Sequence, residues 1–359
     1  MRILHVITSL RIGGAEKLMV DLLPRLRDMG NDVELLVFDG IETPFMQQLR
    51  AQGIRIHISA VGRSVYHPVH LWHLMKLMRQ YDVVHTHNTA PQLFTAIASL
   101  AARRVLCVTT EHNTTNRRRD KWYLKMGDMW MYRQYQRIIC ISDQAEKNLR
   151  SYLAETSDKI CTIYNGIDVK KYNSVPSTSD GSQKTDFTVA MVAAFREQKD
   201  QKTLIRAMAK LPQHIRLRLI GTGEAVLIAE CKALAEELRV SDRVDFLGMR
   251  SDVPELLAQA DAVVLSSHYE GLSLSSLEGM ASGKPFIASD VEGLYEIVSG
   301  YGLLVPHQDA DTLAGVIRQV AEDSDYAAAV AARCLERAKQ FDIFAMASKY
   351  NQVYQELHD

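Results

Sequence analysis

Glu270 and Glu278, with seven residues between them, stand in the stretch Ser266-Ser267-His268-Tyr269-Glu270-Gly271-Leu272-Ser273-Leu274-Ser275-Ser276-Leu277-Glu278-Gly279-Met280-Ala281-Ser282-Gly283. An apolar strand ends before it, Glu270 falls in the loop, a helix begins near Ser273, and Gly283 stops that helix. This puts one carboxylate at a strand mouth, a helix amino terminus that favours an anion, and a second carboxylate further along for hydroxyls. That combination suits a nucleotide sugar. The competing reading is a solvated helix with two surface glutamates.

Other strand mouths carry weaker signals. Gly13 and Gly14 lie between an apolar run and a helix start, where bare backbone N–H groups can meet an anionic ligand. Gly221-Thr222-Gly223 makes a similar turn but lacks the third glycine of the dinucleotide fingerprint, and no ribose-binding acid follows Gly248, so a nicotinamide cofactor is disfavoured. His85 and His87 are two apart in a strand and share a face; His87, nearer the carboxyl end, is read as functional and His85 as packing. His112, in Thr110-Glu111-His112-Asn113, sits at another strand mouth and is an acceptor-side candidate. Asp309-Ala-Asp311 and Asp323-Ser-Asp325 precede helical runs and read as amino-terminal caps, so no catalytic metal and no cofactor are expected.

Residues 103–137 hold nine basic residues, Arg117 and Arg118 among them, against three acidic ones, with Trp122, Tyr123, Trp130 and Tyr132 interleaved. The mixture fits an anionic membrane surface or a phosphate-bearing lipid acceptor, and equally a solvated helix with buried aromatics. Nucleic acid comes third, because 42 Lys and Arg against 43 Asp and Glu leave a net charge of −1 and no field to recruit it.

The elements that position these residues spell an α/β chain. Apolar runs at Ile3 to Thr8, Val33 to Phe38, Ile54 to Ile58, Asp82 to His85, Val105 to Thr109, Ile138 to Ile141 and Lys159 to Tyr164 alternate with helical periodicity, including a stretch from Arg119 to Gln136. A second series follows at Thr188 to Val192, Arg216 to Ile220, Val244 to Leu247, Ala262 to Leu265 and Pro285 to Ser289. Between the two, residues 174–186 are almost free of apolar side chains. The sequence therefore predicts an amino-terminal Rossmann-like domain over 1–173, a linker or flexible loop over 174–186, a carboxyl-terminal Rossmann-like domain over 187–340, and a terminal helix over 341–359 that packs back on the first domain. Two domains also match 359 residues, of which 47% are hydrophobic. Five scattered cysteines give neither a zinc pattern nor a disulfide framework. No apolar run is long enough to span a membrane, and the amino terminus reads as a strand, so the expected compartment is the cytoplasm.

The pattern Glu-Gly-x-x-x-x-x-Leu-Glu-x-Met-Ala-x-Gly-x-Pro resembles the donor-site motif of the family 4 retaining glycosyltransferases, group 1, of the GT-B fold. Gly-Gly-Ala-Glu at 13 to 16, Asp82-Val-Val-His-Thr-His87, Asn165-Gly-Ile-Asp168, Phe246-Leu-Gly248 and Gly302-Leu-Leu-Val-Pro306 look like landmarks of that family in their usual order, so the resemblance covers essentially the whole chain. It implies two parallel-sheet domains facing a central cleft. It also implies that Glu278 binds ribose hydroxyls, that Glu270 contacts the donor sugar, and that the backbone of Gly271, Leu272, Ser273 and Leu274 meets the diphosphate. Gly14 and Gly248 would join the nucleotide-sugar site, Gly13, His112, Arg117 and Arg118 the acceptor site, and His87 would lie near the sugar. The family usually adds Gly-Arg-x-x-x-x-Lys on the diphosphate. Here Lys199 matches, the usual Arg is Ala194, and Arg196 would substitute only by turning inward.

The implied activity is retaining transfer of a hexose-type sugar, from a UDP-sugar by default and GDP-mannose or another nucleotide sugar otherwise, to a glycan or lipid-linked acceptor in polysaccharide or glycoconjugate synthesis. Peripheral contact with the inner face of an anionic membrane accompanies that reading, and no nucleic-acid partner does. The alternatives are a GT-B-like UDP-N-acetylglucosamine epimerase and a non-catalytic two-domain sugar-binding protein.

Overall fold

A computed structural model of the chain describes residues 1–11, 13–112, 122–153, 158–175 and 186–358, with nothing said of the Trp122 and Tyr123 side chains. The chain divides into two compact units, Met1–Gly166 with Ile343–Asp359, and Ile167–Asp342.

The first unit alternates strand and helix in the order β1 (Arg2–Ile7), α1 (Gly14–Asp28), β2 (Asp32–Val37), α2 (Pro44–Ala51), β3 (Arg55–Ile58), α3 (Val69–Met78), β4 (Val83–His87), α4 (Thr89–Ser99), β5 (Leu106–Glu111), α5 (Trp122–Arg133), β6 (Arg137–Cys140), α6 (Asp143–Leu153) and β7 (Ile160–Thr162). All strands pair in parallel, in the order β3-β2-β1-β4-β5-β6-β7. Strands covered on both faces are mostly apolar, and in β1 Ile3, Leu4, Val6 and Ile7 are all fully buried. The order reverses between β1 and β4, where open α/β sheets bind ligands at the strands' carboxyl ends.

The second unit runs α7 (Val169–Asn173), β8 (Phe187–Val192), α8 (Gln201–Met208), β9 (Ile215–Ile220), α9 (Ala225–Glu237), β10 (Val244–Gly248), α10 (Val253–Gln259), β11 (Ala262–Leu265), α11 (Leu274–Ala281), β12 (Phe286–Ser289), α12 (Tyr295–Val298), β13 (Leu303–Val305), α13 (Ala310–Glu322) and α14 (Ser324–Lys339). Its parallel sheet has the order β10-β9-β8-β11-β12-β13, so the reversal falls between β8 and β11. The last helix, α15 (Ile343–His358), buries Ile343, Met346, Ala347, Tyr350 and Tyr354 in the core that α1 shares with the first sheet.

Several boundaries differ from the sequence reading. The division falls between Gly166 and Ile167 rather than at 174–186, because Ile167, Val169 and Tyr172 are buried and α7 packs on α10 and α11. β4 and β5 extend to His87 and Glu111 instead of ending at His85 and Thr109. The terminal helix starts at Ile343, since the Phe341 carbonyl accepts the Ile167 N–H at 2.9 Å and Asp342 bridges Ile167. Strand β13 and helix α2 went unassigned, although Thr43 accepts the Met46 N–H as a cap and Pro44 opens α2. Of the stretch expected to be helical from Arg119, the described part is α5.

Candidate functional site

In the second unit the loops after β8 and β11 are laced together by their backbones. Lys199 and Ser267 form an antiparallel bridge, the His268 N–H donates to the Gln198 carbonyl at 2.9 Å, and the Asp200 N–H donates to Ser266 at 3.1 Å. This lacing brings the Lys199 ammonium onto Glu270 Oε1 as an ion pair, with the side chains only 12% and 5% exposed. Ser267 Oγ donates to the same oxygen at 2.7 Å, and Gln198 Nε2 donates to Glu270 Oε2 at 3.1 Å. The carboxylate is thus held by three side-chain donors at the point where strand order reverses, where the fold presents groups to ligands.

Helix α11 begins four residues later. Ser273 occupies its N-cap, yet no side chain caps it, and Ser276 Oγ turns back to the Ser273 carbonyl at 2.7 Å. An uncapped helix start offers first-turn N–H groups and the positive end of a dipole to an anion. Leu272 and Leu274 are buried, Ser273 is buried with them, and Glu278, on the following turn, is 3% exposed rather than a solvated surface glutamate. Gly293 lets the next loop press on this one: at φ +83° a Cβ there would come within 2.3 Å of the Glu270 and Gly271 carbonyl oxygens.

The remaining candidates of this unit stand apart from the pair. Arg196 is exposed, and its guanidinium makes no hydrogen bond or ion pair with the described residues. Gly248 closes β10, the outermost strand on its side, and its carbonyl accepts the Gly221 N–H at 2.8 Å. Gly221 and Gly223 are needed sterically, since a Cβ at either would lie 2.1 Å from the carbonyl oxygen of Ala193 or Phe195. Asp309 accepts from the Asp311 and Thr312 N–H groups and Asp323 from that of Tyr326, so both Asp-x-Asp triplets supply helix caps.

The first unit gathers four histidines around its own reversal point. His5 on β1 pairs in register with His85 on β4. His5 Nδ1 lies 3.0 Å from His87 Nε2, and His87 Nδ1 lies 2.9 Å from His112 Nε2. His85 stacks on His87 with centroids 4.5 Å apart, while its own nitrogens meet the Tyr354 hydroxyl at 2.5 Å and Thr110 Oγ1 at 2.8 Å. His87, nearer the carboxyl end of its strand, is as buried as His85, and the half-buried His112 ends the chain of rings. Burial lowers the pKa of His5 to about 3 and of His112 to about 4. His85 and His87 are held well below the usual value by burial and then by neighbouring histidines, so all four are neutral near pH 7.

His5 Nε2 is buried without a partner among the described residues, and this orders the protons. An unpaired buried acceptor is less costly than an unpaired buried N–H, so His5 carries its proton on Nδ1 and donates to His87. His87 then donates from Nδ1 to His112 Nε2, which leaves His112 presenting Nδ1–H as a donor rather than a lone pair as a base. Asn88, immediately after His87, has φ +72° and ψ 159°, a strained backbone of the kind that concentrates at functional sites. His5 was missed in the sequence; only its register against His85 identifies it.

Gly13 is the N-cap of α1 in an extended conformation, and a Cβ there would lie 2.2 Å from the Glu16 carboxylate, whereas Gly14 has open space. A carboxylate already lies over this helix start, which weakens the expected anion site. Arg117 and Arg118 lie outside the described residues. Of the described part of the basic and aromatic region, Met126 and Trp130 are exposed, while Tyr132 is buried and donates to Glu111 at 2.6 Å. Among the described residues no helix is long and apolar enough to cross a membrane.

Residues 177–341 match the family described as glycosyl transferases group 1, and residues 12–171 match glycosyltransferase family 4. A phosphatidyl-myo-inositol mannosyltransferase of Mycolicibacterium smegmatis is 26% identical over 362 residues, 96% of this chain and 90% of that protein. The UDP-Gal:alpha-D-GlcNAc-diphosphoundecaprenol alpha-1,3-galactosyltransferase of Escherichia coli is 26% identical over 271 residues, 70% of this chain and 69% of that protein. The crystal structure of Anabaena HepE in complex with UDP and glucose has a TM-score of 0.88 at 23% identity, covering 99% of this chain and 100% of that one. That last likeness is one of fold.

Proposed function

The chain belongs to the group 1 glycosyltransferases of the family 4 type, GT-B in fold, and we propose that it moves a hexose-type sugar with retention from a UDP-sugar to a glycan or lipid-linked acceptor. The observation that carries the reading is the Lys199–Glu270 ion pair at the β8–β11 reversal, with the uncapped start of α11 and the buried Glu278 beside it in sequence. UDP in the HepE complex supports uracil as the base, and the lipid-diphosphate and phosphatidylinositol names of two relatives support a lipid-linked acceptor.

Each residue then has a chemical task. Glu278 accepts hydrogen bonds from ribose hydroxyls, the N–H groups at Leu274 and Ser275 meet the diphosphate, and Glu270 accepts from a donor-sugar hydroxyl. Lys199 stands fixed where the departing diphosphate accumulates charge, and a preorganised cation lowers that barrier. A diphosphate oxygen takes the acceptor proton as the new bond forms on the same face, so no protein nucleophile is needed. His112, a donor, holds a substrate oxygen on the first unit. With Lys199 and the α11 dipole supplying the positive charge, the reaction requires no metal, and the enzyme works at the cytoplasmic face of an anionic membrane.

The test is turnover of UDP-glucose, UDP-galactose and their N-acetyl counterparts with a lipid diphosphate-linked monosaccharide, followed by proton NMR of the product. An α-linked product from an α-configured donor is expected. A β-linked product would contradict retention, and epimerised nucleotide sugar without acceptor would favour the epimerase.

A further inference from the structure

Asp200 is an N-cap of α8, and one of its oxygens, Oδ1, accepts the Thr203 N–H at 3.1 Å. Its other oxygen, Oδ2, is buried and has no hydrogen-bond partner among the described residues, in a residue only 5% exposed. An ionised oxygen left in that state is costly, so its persistence calls for a bound proton, water or cation. The surroundings decide among these. His268, from the loop after β11, and His307, just beyond β13, place Nδ1 and Nε2 2.7 Å apart with their rings edge to face. One ligand atom of Asp200, one of His268 and one of His307 all lie within 4.8 Å of one another.

We propose that Asp200, His268 and His307 form a binding site for a borderline divalent transition ion such as Zn²⁺, Co²⁺ or Ni²⁺. Two imidazoles and one carboxylate are a ligand set such ions favour, whereas Mg²⁺ and Ca²⁺ prefer all-oxygen shells. Bringing the three atoms from their present spacing to a common ion needs only side-chain rotation, because His307 is exposed and His268 half-buried, while the buried carboxylate stays fixed by its cap. Three protein ligands leave an open position at the carboxyl ends of the strands. The ion ties together the loops after β8, β11 and β13, and it does so next to Lys199 without using Lys199 or Glu270. The site is independent of the proposed transfer reaction, and its occupancy is read without turnover.

The experiment uses the untagged full chain, stripped with chelator and dialysed, and titrated with Co²⁺ while its visible absorption is followed, then with Zn²⁺ in competition. Saturation at one ion per chain is expected, with displacement by Zn²⁺ and no displacement by Mg²⁺. Asp200→Asn, which keeps a capping side chain, and His307→Gln should each weaken Co²⁺ at least about tenfold, the low end for a perturbed metal site. His214→Gln, an exposed histidine elsewhere, should not. Thermal melts without metal confirm that the variants fold. Equal Co²⁺ affinity in wild type and both site variants, or equal competition by Mg²⁺, would overturn the proposal.

Discussion

Lys199 and Glu270, 71 positions apart in the chain, meet as a nearly buried ion pair where the second sheet reverses its order. The pair couples two functions. On the proposed reading, the lysine assigned to the leaving diphosphate is oriented by the glutamate assigned to the sugar, so neither can be replaced without disturbing the other.

Removing one partner leaves the other charge buried and uncompensated, a loss of about 3 kcal/mol or more in comparable pairs. Lys199→Met should lower both stability and kcat, and adding Glu270→Gln should recover part of the stability but none of the rate. Urea unfolding of the two singles and the double measures the coupling. A Lys199→Met protein with wild-type stability would mean that Ser267 and Gln198 suffice to hold the carboxylate.

Arg196, exposed in the structure, should matter less. Arg196→Ala is expected to reduce kcat by a smaller factor than Lys199→Ala, and Lys202→Ala, whose ammonium pairs with Glu230, should leave it unchanged. Steady-state kinetics with Arg196→Ala as defective as Lys199→Ala would show that its guanidinium turns onto the diphosphate when substrate binds.

The four histidines of the first unit predict an acid-sensitive fold. Each is neutral when folded and titrates near 6.5 when unfolded, so below that pH the unfolded chain binds more protons. Stability is then fully present above about pH 6.5 and falls as pH drops toward the folded values, about 4 for His112 and about 3 for His5. The slope approaches about 1.4 kcal/mol per pH unit for each histidine. Urea midpoints at pH 7.5 and 5 should differ accordingly, and His5→Gln should flatten the difference. Equal midpoints at the two pH values would contradict the neutral, buried assignment.

Chelation should leave turnover intact, because Asp309 Oδ1 accepts the Asp311 and Thr312 N–H groups, its Oδ2 accepts the Thr312 hydroxyl, and Asp323 Oδ1 accepts the Tyr326 N–H. Asp309→Ala should lower the melting temperature through the lost cap while kcat holds. Loss of activity in EDTA with rescue by Mn²⁺ or Mg²⁺ would refute this.

Much of this was legible in the residues. Alternating apolar runs and helical periodicity located most strands, and the stretch from Ser273 to Gly283 marked helix α11. What escaped was set by partners distant in sequence. His5 looks like any strand residue until β1 is placed in register beside β4, and the exposed or buried fate of His87 depends on His5 and His112 flanking it. The pairing of Lys199 with Glu270 depends on the backbone bridge to Ser267. The unit boundary was misplaced because composition registers a polar stretch, whereas the division follows the burial of Ile167, Val169 and Tyr172.

The central claim, that α11 and its glutamate bind the nucleotide of the donor, is tested most directly by calorimetric titration of UDP into wild type and Glu278→Ala. Loss of a carboxylate-to-hydroxyl hydrogen bond is worth about 1.5–3 kcal/mol, so wild type should bind one UDP and the variant should bind it at least tenfold more weakly. UDP binding with equal affinity in both proteins would contradict the account.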